Sequence, residues 1–301
     1  MDEILPEGFS QLVSLSIEDW DWDILPTRDE QVWDALLYPI FLGATVRSAQ
    51  ANYVKRILDR FITMSTASDA RTDSNWSSKL LKRIEQERSR ILGTSGESLK
   101  RSILELVAQD VADLNLSRTI DTALSFFDGH QVSASLIRSI KDDSNSTKEL
   151  VDYASREVHN VSYIKAVLWL YGCGIAYDLV PPNAHIIRFL DECGYPGFGW
   201  SRNGYPVDWQ IFAVACNKMK EVAQQVSQDL RRPVSPKQAQ AAVWYLQTCR
   251  GLLPRGYAKQ LSPRAMISFL QVQGWRIKDL DRILSDIEQL DSLAQDLKDF
   301  L

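Results

Sequence analysis

Residues 158–194 constrain this chain more than any other stretch. They read VHNVSYIKAVLWLYGCGIAYDLVPPNAHIIRFLDECG. A short polar hairpin leads into an apolar helix. A break follows, then the turn Val180-Pro181-Pro182-Asn183-Ala184-His185. A second helix, Ala184–Glu192, closes on Cys193-Gly194. Asn183 is placed to cap that second helix, because its side-chain oxygen can accept the first orphan amides of a helix. The pattern calls for two helices joined by defined turns.

The rest of the chain follows the same helical period. Val32, Trp33, Leu36, Leu37, Ile40 and Phe41 recur at helical spacing. Residues 31–61 therefore read as two helices, with Gly43 and Thr45 at the break between them. Residues 63–78 are rich in Ser, Thr, Asp and Asn and read as a loop. Further helices are expected over 79–91, 99–113, 117–127, 133–141 and 148–157, with a connector at 142–146. Residues 195–207 are rich in glycine, proline and aromatics and read as a loop. A long helix is expected over 208–230. Ser235-Pro236 and Ser262-Pro263 each open a helix by a capping hydroxyl followed by a first-turn proline. Residues 279–301 form one or two charged helices. The expected fold class is all-α, with no internal repeat and no low-complexity segment.

Composition narrows the setting. The hydrophobic share of 45% and the charged share of 24% are those of an ordinary globular protein. No apolar run reaches the roughly 18 residues needed to span a membrane. The start MDEILPEGFS is acidic and lacks the basic end and apolar run of a signal peptide. A soluble intracellular protein is expected, cytoplasmic or associated with the nucleoid or nucleus. Cys173, Cys193, Cys216 and Cys249 contain no CxxC pair, so reduced, mostly buried thiols are expected and no zinc knuckle.

Charge is unevenly distributed around a net value of −5. The first fifty residues are acidic. Residues 202–278 are basic, with Lys218, Lys220, Arg231, Arg232, Lys237, Arg250, Arg255, Lys259, Arg264, Arg276 and Lys278. Only Asp208, Glu221 and Asp229 oppose them, and an excess of one sign suits a polyanion, a solvated face being the other reading. Lys79, Lys82, Arg83, Arg88 and Arg90 are interleaved with Glu85 and Glu87, which reads as a solvated helix face.

The two turn strings resemble the core of the helix-hairpin-helix DNA glycosylases. That family has the form LPGVGxKTA, an apolar helix, then VPVDTHVxRxxxRLG, and the frame fits without a gap. Residues 35–48, ALLYPIFLGATVRS, resemble the family's opening helix, and residues 240–246, QAAVWYL, resemble its late helix. The resemblance covers roughly residues 32–246.

The resemblance implies roles for particular residues. Asn160, Val161 and Ser162 occupy the phosphate-binding turn, whose two family glycines are both replaced here. Asn160 can still adopt the left-handed conformation, and Ser162 and His159 could supply side-chain donors. Ile164 holds the lysine position of the bifunctional members. Lys165 is its neighbour, rotated by about 100° on a helix, so Schiff-base lyase chemistry is not expected. Asn183 holds the aspartate position, where a carboxylate stabilises charge developing on the sugar or activates water. A neutral amide cannot act as that base. Asp178 is the nearest alternative acid. His185 holds the histidine position, a largely structural one near the base pocket. Thr45, with Arg47 beside it, falls where a residue enters the gap left by the flipped base. Trp200, Tyr205 and Trp209 are pocket candidates, because flipped bases are commonly held between aromatic faces; for Trp209 core packing is the other role. Arg231 and Arg232 are candidates for phosphate contact.

The implied architecture has two helical subdomains with a cleft lined by the hairpin and Asn183. Residues 48–180 form a six-helix barrel containing the hairpin. Residues 1–47 pack with 181–301. The implied function is duplex DNA binding and flipping of a damaged or modified base, with monofunctional N-glycosidic cleavage if active. Two alternatives stand beside it: a base-sensing DNA-binding module without cleavage, and an N-glycosidase acting on a nucleoside or RNA. No cofactor, metal or iron–sulfur cluster is expected, only Cys249 lying where such a cluster could begin. The partner implied is duplex DNA, bound by a monomer, with no membrane.

Overall fold

The computed structural model describes residues 5–19, 24–42, 48–58, 61–67, 73, 75–91, 97–113, 115–195 and 209–301. Every regular element among them is a helix. The first is α1 (Phe9–Asp19). Then come α2 (Asp29–Phe41), α3 (Ser48–Leu58), α4 (Met64–Ala67), α5 (Trp76–Arg90), α6 (Glu97–Ala112), α7 (Asn115–Gly129), α8 (Ala134–Ser139), α9 (Ser144–Glu157) and α10 (Tyr163–Gly172). The remainder holds α11 (Ala184–Glu192), α12 (Trp209–Leu230), α13 (Pro236–Leu252), α14 (Arg255–Ala258), α15 (Pro263–Gln273), α16 (Ile277–Leu284) and α17 (Leu290–Phe300).

The helices divide into two compact units. One comprises Asp23–Ala176 with Leu284–Glu288; the other comprises Met1–Trp22, Tyr177–Ile283 and Gln289–Leu301. The first is called the hairpin unit below and the second the capping unit. Residues 1–47 were expected to group together, whereas α2 falls with the hairpin unit and α1 with the capping unit. The reason lies in the apolar face of α2. Val32, Trp33, Leu36 and Leu37 are buried, and α2 packs closely on α10. The Trp169 indole donates to the Val32 carbonyl at 3.0 Å. A side chain at Gly172 would press on Cβ of Ala35 at 3.2 Å.

Aromatic side chains fill the middle of the hairpin unit. Trp33 meets Phe127 edge-on at 5.4 Å, and Trp169 meets Phe126 and Phe127 at 5.8 Å each. The Trp33 indole N–H donates to Ile62 O at 2.7 Å. Both buried indoles thus bring large apolar area without an unsatisfied donor.

In the capping unit α1 packs on α12, α13 and α15. Phe9 lies against Phe189 of α11 at 4.5 Å. The long α13 also meets α11, α12 and α17. Its start is a capping box in which Ser235 and Gln238 satisfy each other's amides, with Pro236 in the first turn. Ser262 caps α15 in the same way, accepting from Ala265 N at 3.1 Å.

The helix α1, the short turns α4 and α14, and an early start to α9 depart from the sequence reading. The last has a simple cause. Asp143 accepts from Asn145 N and Ser146 N, so a run that reads as a connector is converted at Ser144 into a capped helix. No helix among the described residues is long and apolar enough to cross a membrane. Cys173, Cys193, Cys216 and Cys249 form no disulfide among the described residues, and all but Cys216 are buried.

Candidate nucleic-acid interface

The hairpin is a two-helix turn held from three sides. Helix α9 ends at Val158, and Val161 N returns to Val158 O at 3.2 Å. Val158 and Val161 are both 3% exposed and anchor the turn in the core. Between them the exposed Asn160 adopts φ 62. Left-handed backbone of this kind usually requires glycine, and asparagine is among the few side chains that tolerate it. Ser162 then caps α10. The first-turn amides of a helix have no intrahelical acceptor and carry the positive end of its dipole. Asn160, Val161 and Ser162 thus form one turn at the start of α10.

His159 is tied to α7. Its Nδ1 pairs with Thr119 Oγ1 at 3.2 Å, and its N–H donates to Thr122 Oγ1 at 2.9 Å. Two threonines one turn apart on α7 thus hold the residue before Asn160. Lys165 holds the other side. Its ammonium donates to Asn160 O at 3.0 Å and to Ile40 O, in the last turn of α2, at 3.3 Å. Burial pulls this ammonium down to about 8, against the charge of Asp110. Asp110 itself is held above the usual carboxylate range by burial, although Asn115 donates to it and Lys165 and His159 act the other way.

The second turn belongs to the capping unit. Asn183 caps α11 as expected, its Oδ1 accepting from His185 N at 3.0 Å and Ile186 N at 3.2 Å. Cys216 of α12 donates its thiol to Val180 O at 3.0 Å, just before the two prolines. Burial pushes that thiol up to about 11. His185 is a neutral imidazole: burial, and then the nearby Arg188, pull it down to about 4. Its Nδ1 is buried without a hydrogen-bond partner among the described residues. Asp178 is exposed.

The basic stretch is largely engaged within its own unit. Arg250 grips Glu192 with both oxygens at 2.7 Å and donates to Leu261 O at 2.8 Å. Arg264 pairs with Glu7, Lys218 with Glu221 and Arg276 with Asp279. Lys237 is buried over the Tyr177 ring, 4.6 Å from its centre. Arg232 donates to Ser14 Oγ at 2.9 Å and lies 3.8 Å from Glu18, so it fastens α1. Arg231, beside it, is exposed in the left-handed conformation at φ 52. Lys220, Arg255, Lys259 and Lys278 are likewise exposed. The free positive surface is smaller than the count of basic residues implies.

Thr45, Arg47, Trp200 and Tyr205 lie outside the described residues, as does the side chain of Trp209, which opens α12. No group of three or more metal-ligating side chains occurs among the described residues. Sequence reasoning missed the Lys165–Asn160 bond, although Lys165 stands one turn and a half beyond the hairpin. It also missed Asp110, Thr119 and Thr122, for which no sequence pattern pointed to the hairpin. Compared with known proteins, the chain matches no family model, no curated protein sequence and no solved structure.

Proposed function

We propose that this chain binds duplex DNA through the turn at Val158–Ser162, as a diverged helix-hairpin-helix protein of the DNA glycosylase type. The observation that carries the reading is Asn160 at φ 62 between the buried Val158 and Val161. A turn that lacks both family glycines keeps the backbone form for which glycine is normally used. On this reading the amides at the start of α10 receive a phosphate oxygen, helped by the helix dipole. On the same reading residues 48–180 would form the six-helix barrel of that family, and the protein flips a damaged or modified base from duplex DNA.

Cleavage is a separate matter. At the family's acid position Asn183 is neutral, and its Oδ1 already accepts two amides. Such an oxygen is poorly placed to orient an attacking water. This favours the second reading, a base-sensing protein that binds without cleaving. If cleavage occurs it is monofunctional and uses water, because Ile164 offers no amine.

Fluorescence anisotropy with short duplexes over a series of salt concentrations tests the reading. Duplex binding should weaken linearly on a log–log plot against salt. A protein that instead acts on a free nucleoside would show turnover with little salt dependence and no duplex affinity.

A further inference from the structure

We infer that Lys165 is a positioning residue for the hairpin, its ammonium tying the left-handed turn at Asn160 to the end of α2. The functional half of this inference rests on the DNA-binding reading above; the structural half stands on contacts within the hairpin unit.

Three observations converge. The ammonium of Lys165 reaches main-chain oxygens in two separate elements, Asn160 O at 3.0 Å and Ile40 O at 3.3 Å. Asn160 is the residue whose carbonyl direction sets the turn, because it carries the positive φ. An asparagine there lacks glycine's freedom, so its peptide needs an external hold that a glycine turn does not. Ile40 O lies in the last turn of α2, where helix carbonyls lack intrahelical donors and favour a cation. Lys165 therefore supplies a donor to two acceptors at once and links the turn to α2, the helix on which α10 packs.

Asp110 of α6 is the charged side chain acting on this ammonium, and Asp110 in turn feels His159 of the hairpin and Asp113 of α6. From α2 the ammonium meets a carbonyl rather than a charge. Burial has pulled this half-buried ammonium to about 8, below a surface lysine, although the two carbonyl dipoles and the carboxylate favour its charged form. The hold on the turn is then strongest below that pH. The positive charge under the phosphate-facing amides is also present there and fades above it.

The test compares Lys165→Met, which keeps the stem and removes the ammonium, with Lys165→Arg, which keeps charge and donors. Amide hydrogen exchange on the free protein reads the turn itself. Lys165→Met should speed exchange at residues 159–164 by roughly tenfold or more, the effect of losing a charged hydrogen bond. The core amides of α2 and α7 should be unchanged, and Lys165→Arg should restore slow exchange in part. Anisotropy with a short duplex between pH 7 and pH 9.5 reads the consequence. Wild-type affinity should fall severalfold as pH rises past about 8, while Lys165→Met binds weakly and Lys165→Arg binds evenly across the range. Unchanged hairpin exchange in Lys165→Met overturns the positioning role, whatever the duplex does. Wild-type protein that binds no duplex at any pH overturns the DNA reading instead, and the exchange data still decide whether Lys165 sets the turn.

Discussion

Set against the glycosylase pattern they resemble, the two turns of residues 158–194 differ in opposite ways. In the hairpin neither glycine of that pattern is present, yet Asn160 has left-handed backbone and Val161 anchors the turn. At the second turn an amide stands where that pattern has a carboxylate, and Asn183 caps α11. Function carried by main-chain amides survives side-chain change as long as some residue tolerates the backbone. Function carried by one ionised side chain does not survive its neutralisation. Binding that outlasts catalysis is what this contrast predicts.

Asn183→Asp should break the contrast most strongly. A carboxylate beside developing positive charge is worth about two orders of magnitude or more in rate. Release of free base from duplexes carrying oxidised, alkylated or hypermodified bases should appear or rise at least that much. Duplex affinity should stay the same or fall, since phosphates repel the new charge. Helix α11 should keep its cap, because Asp and Asn cap comparably. Equal activity of both forms on some base would move the chemistry to Asp178, and inertness of both would favour the base-sensing reading.

Asn160→Val attacks the other turn. A β-branched residue at φ 62 costs about 1–3 kcal/mol, which chemical denaturation of the hairpin unit would register, and duplex binding should be lost with it. Asn160→Gly should be neutral or slightly stabilising and should keep binding. If valine is tolerated, the turn is not set by the left-handed residue.

A smaller effect concerns the capping unit. Burial raises the Asp281 carboxyl to about 6, and the Tyr245 hydroxyl opposes this only weakly across 3.4 Å. The folded state then holds its proton more tightly than the unfolded chain. The stability from this group is fully present below about pH 4 and is lost as pH rises through about 6. Asp281→Asn should raise the melting temperature at pH 7, by an amount equivalent to about 1–2 kcal/mol, and change it little at pH 4. Equal shifts at both pH values would show that the carboxyl is not buried.

The smallest effect separates two neighbouring arginines. Arg231→Glu should weaken binding to any duplex and lower the salt slope by about one unit, as expected for one lost phosphate contact. Arg232→Glu should destabilise the capping unit instead, because Arg232 holds Ser14 and α1. Normal affinity in Arg231→Glu would remove that surface from the interface.

What the sequence made legible was local. The caps at Ser235-Pro236 and Ser262-Pro263, the Asn183 cap and the left-handed tolerance of Asn160 are decided by a few adjacent residues, and each was readable. The partners that complete them are distant. Lys165 meets Ile40 across 125 positions and Arg232 meets Ser14 across 218. No periodicity encodes such pairs, so a basic run read as surface contains several side chains that hold the fold together. The grouping of α2 is hidden for the same reason: it follows from packing on α10, far along the chain, and not from nearness to α1.

Amide hydrogen exchange with and without a short duplex tests the central claim most directly. The account predicts slowed exchange at residues 161–165, the start of α10, when duplex is added, with Asn160→Val abolishing both binding and protection. Duplex binding that leaves those amides unprotected would contradict it.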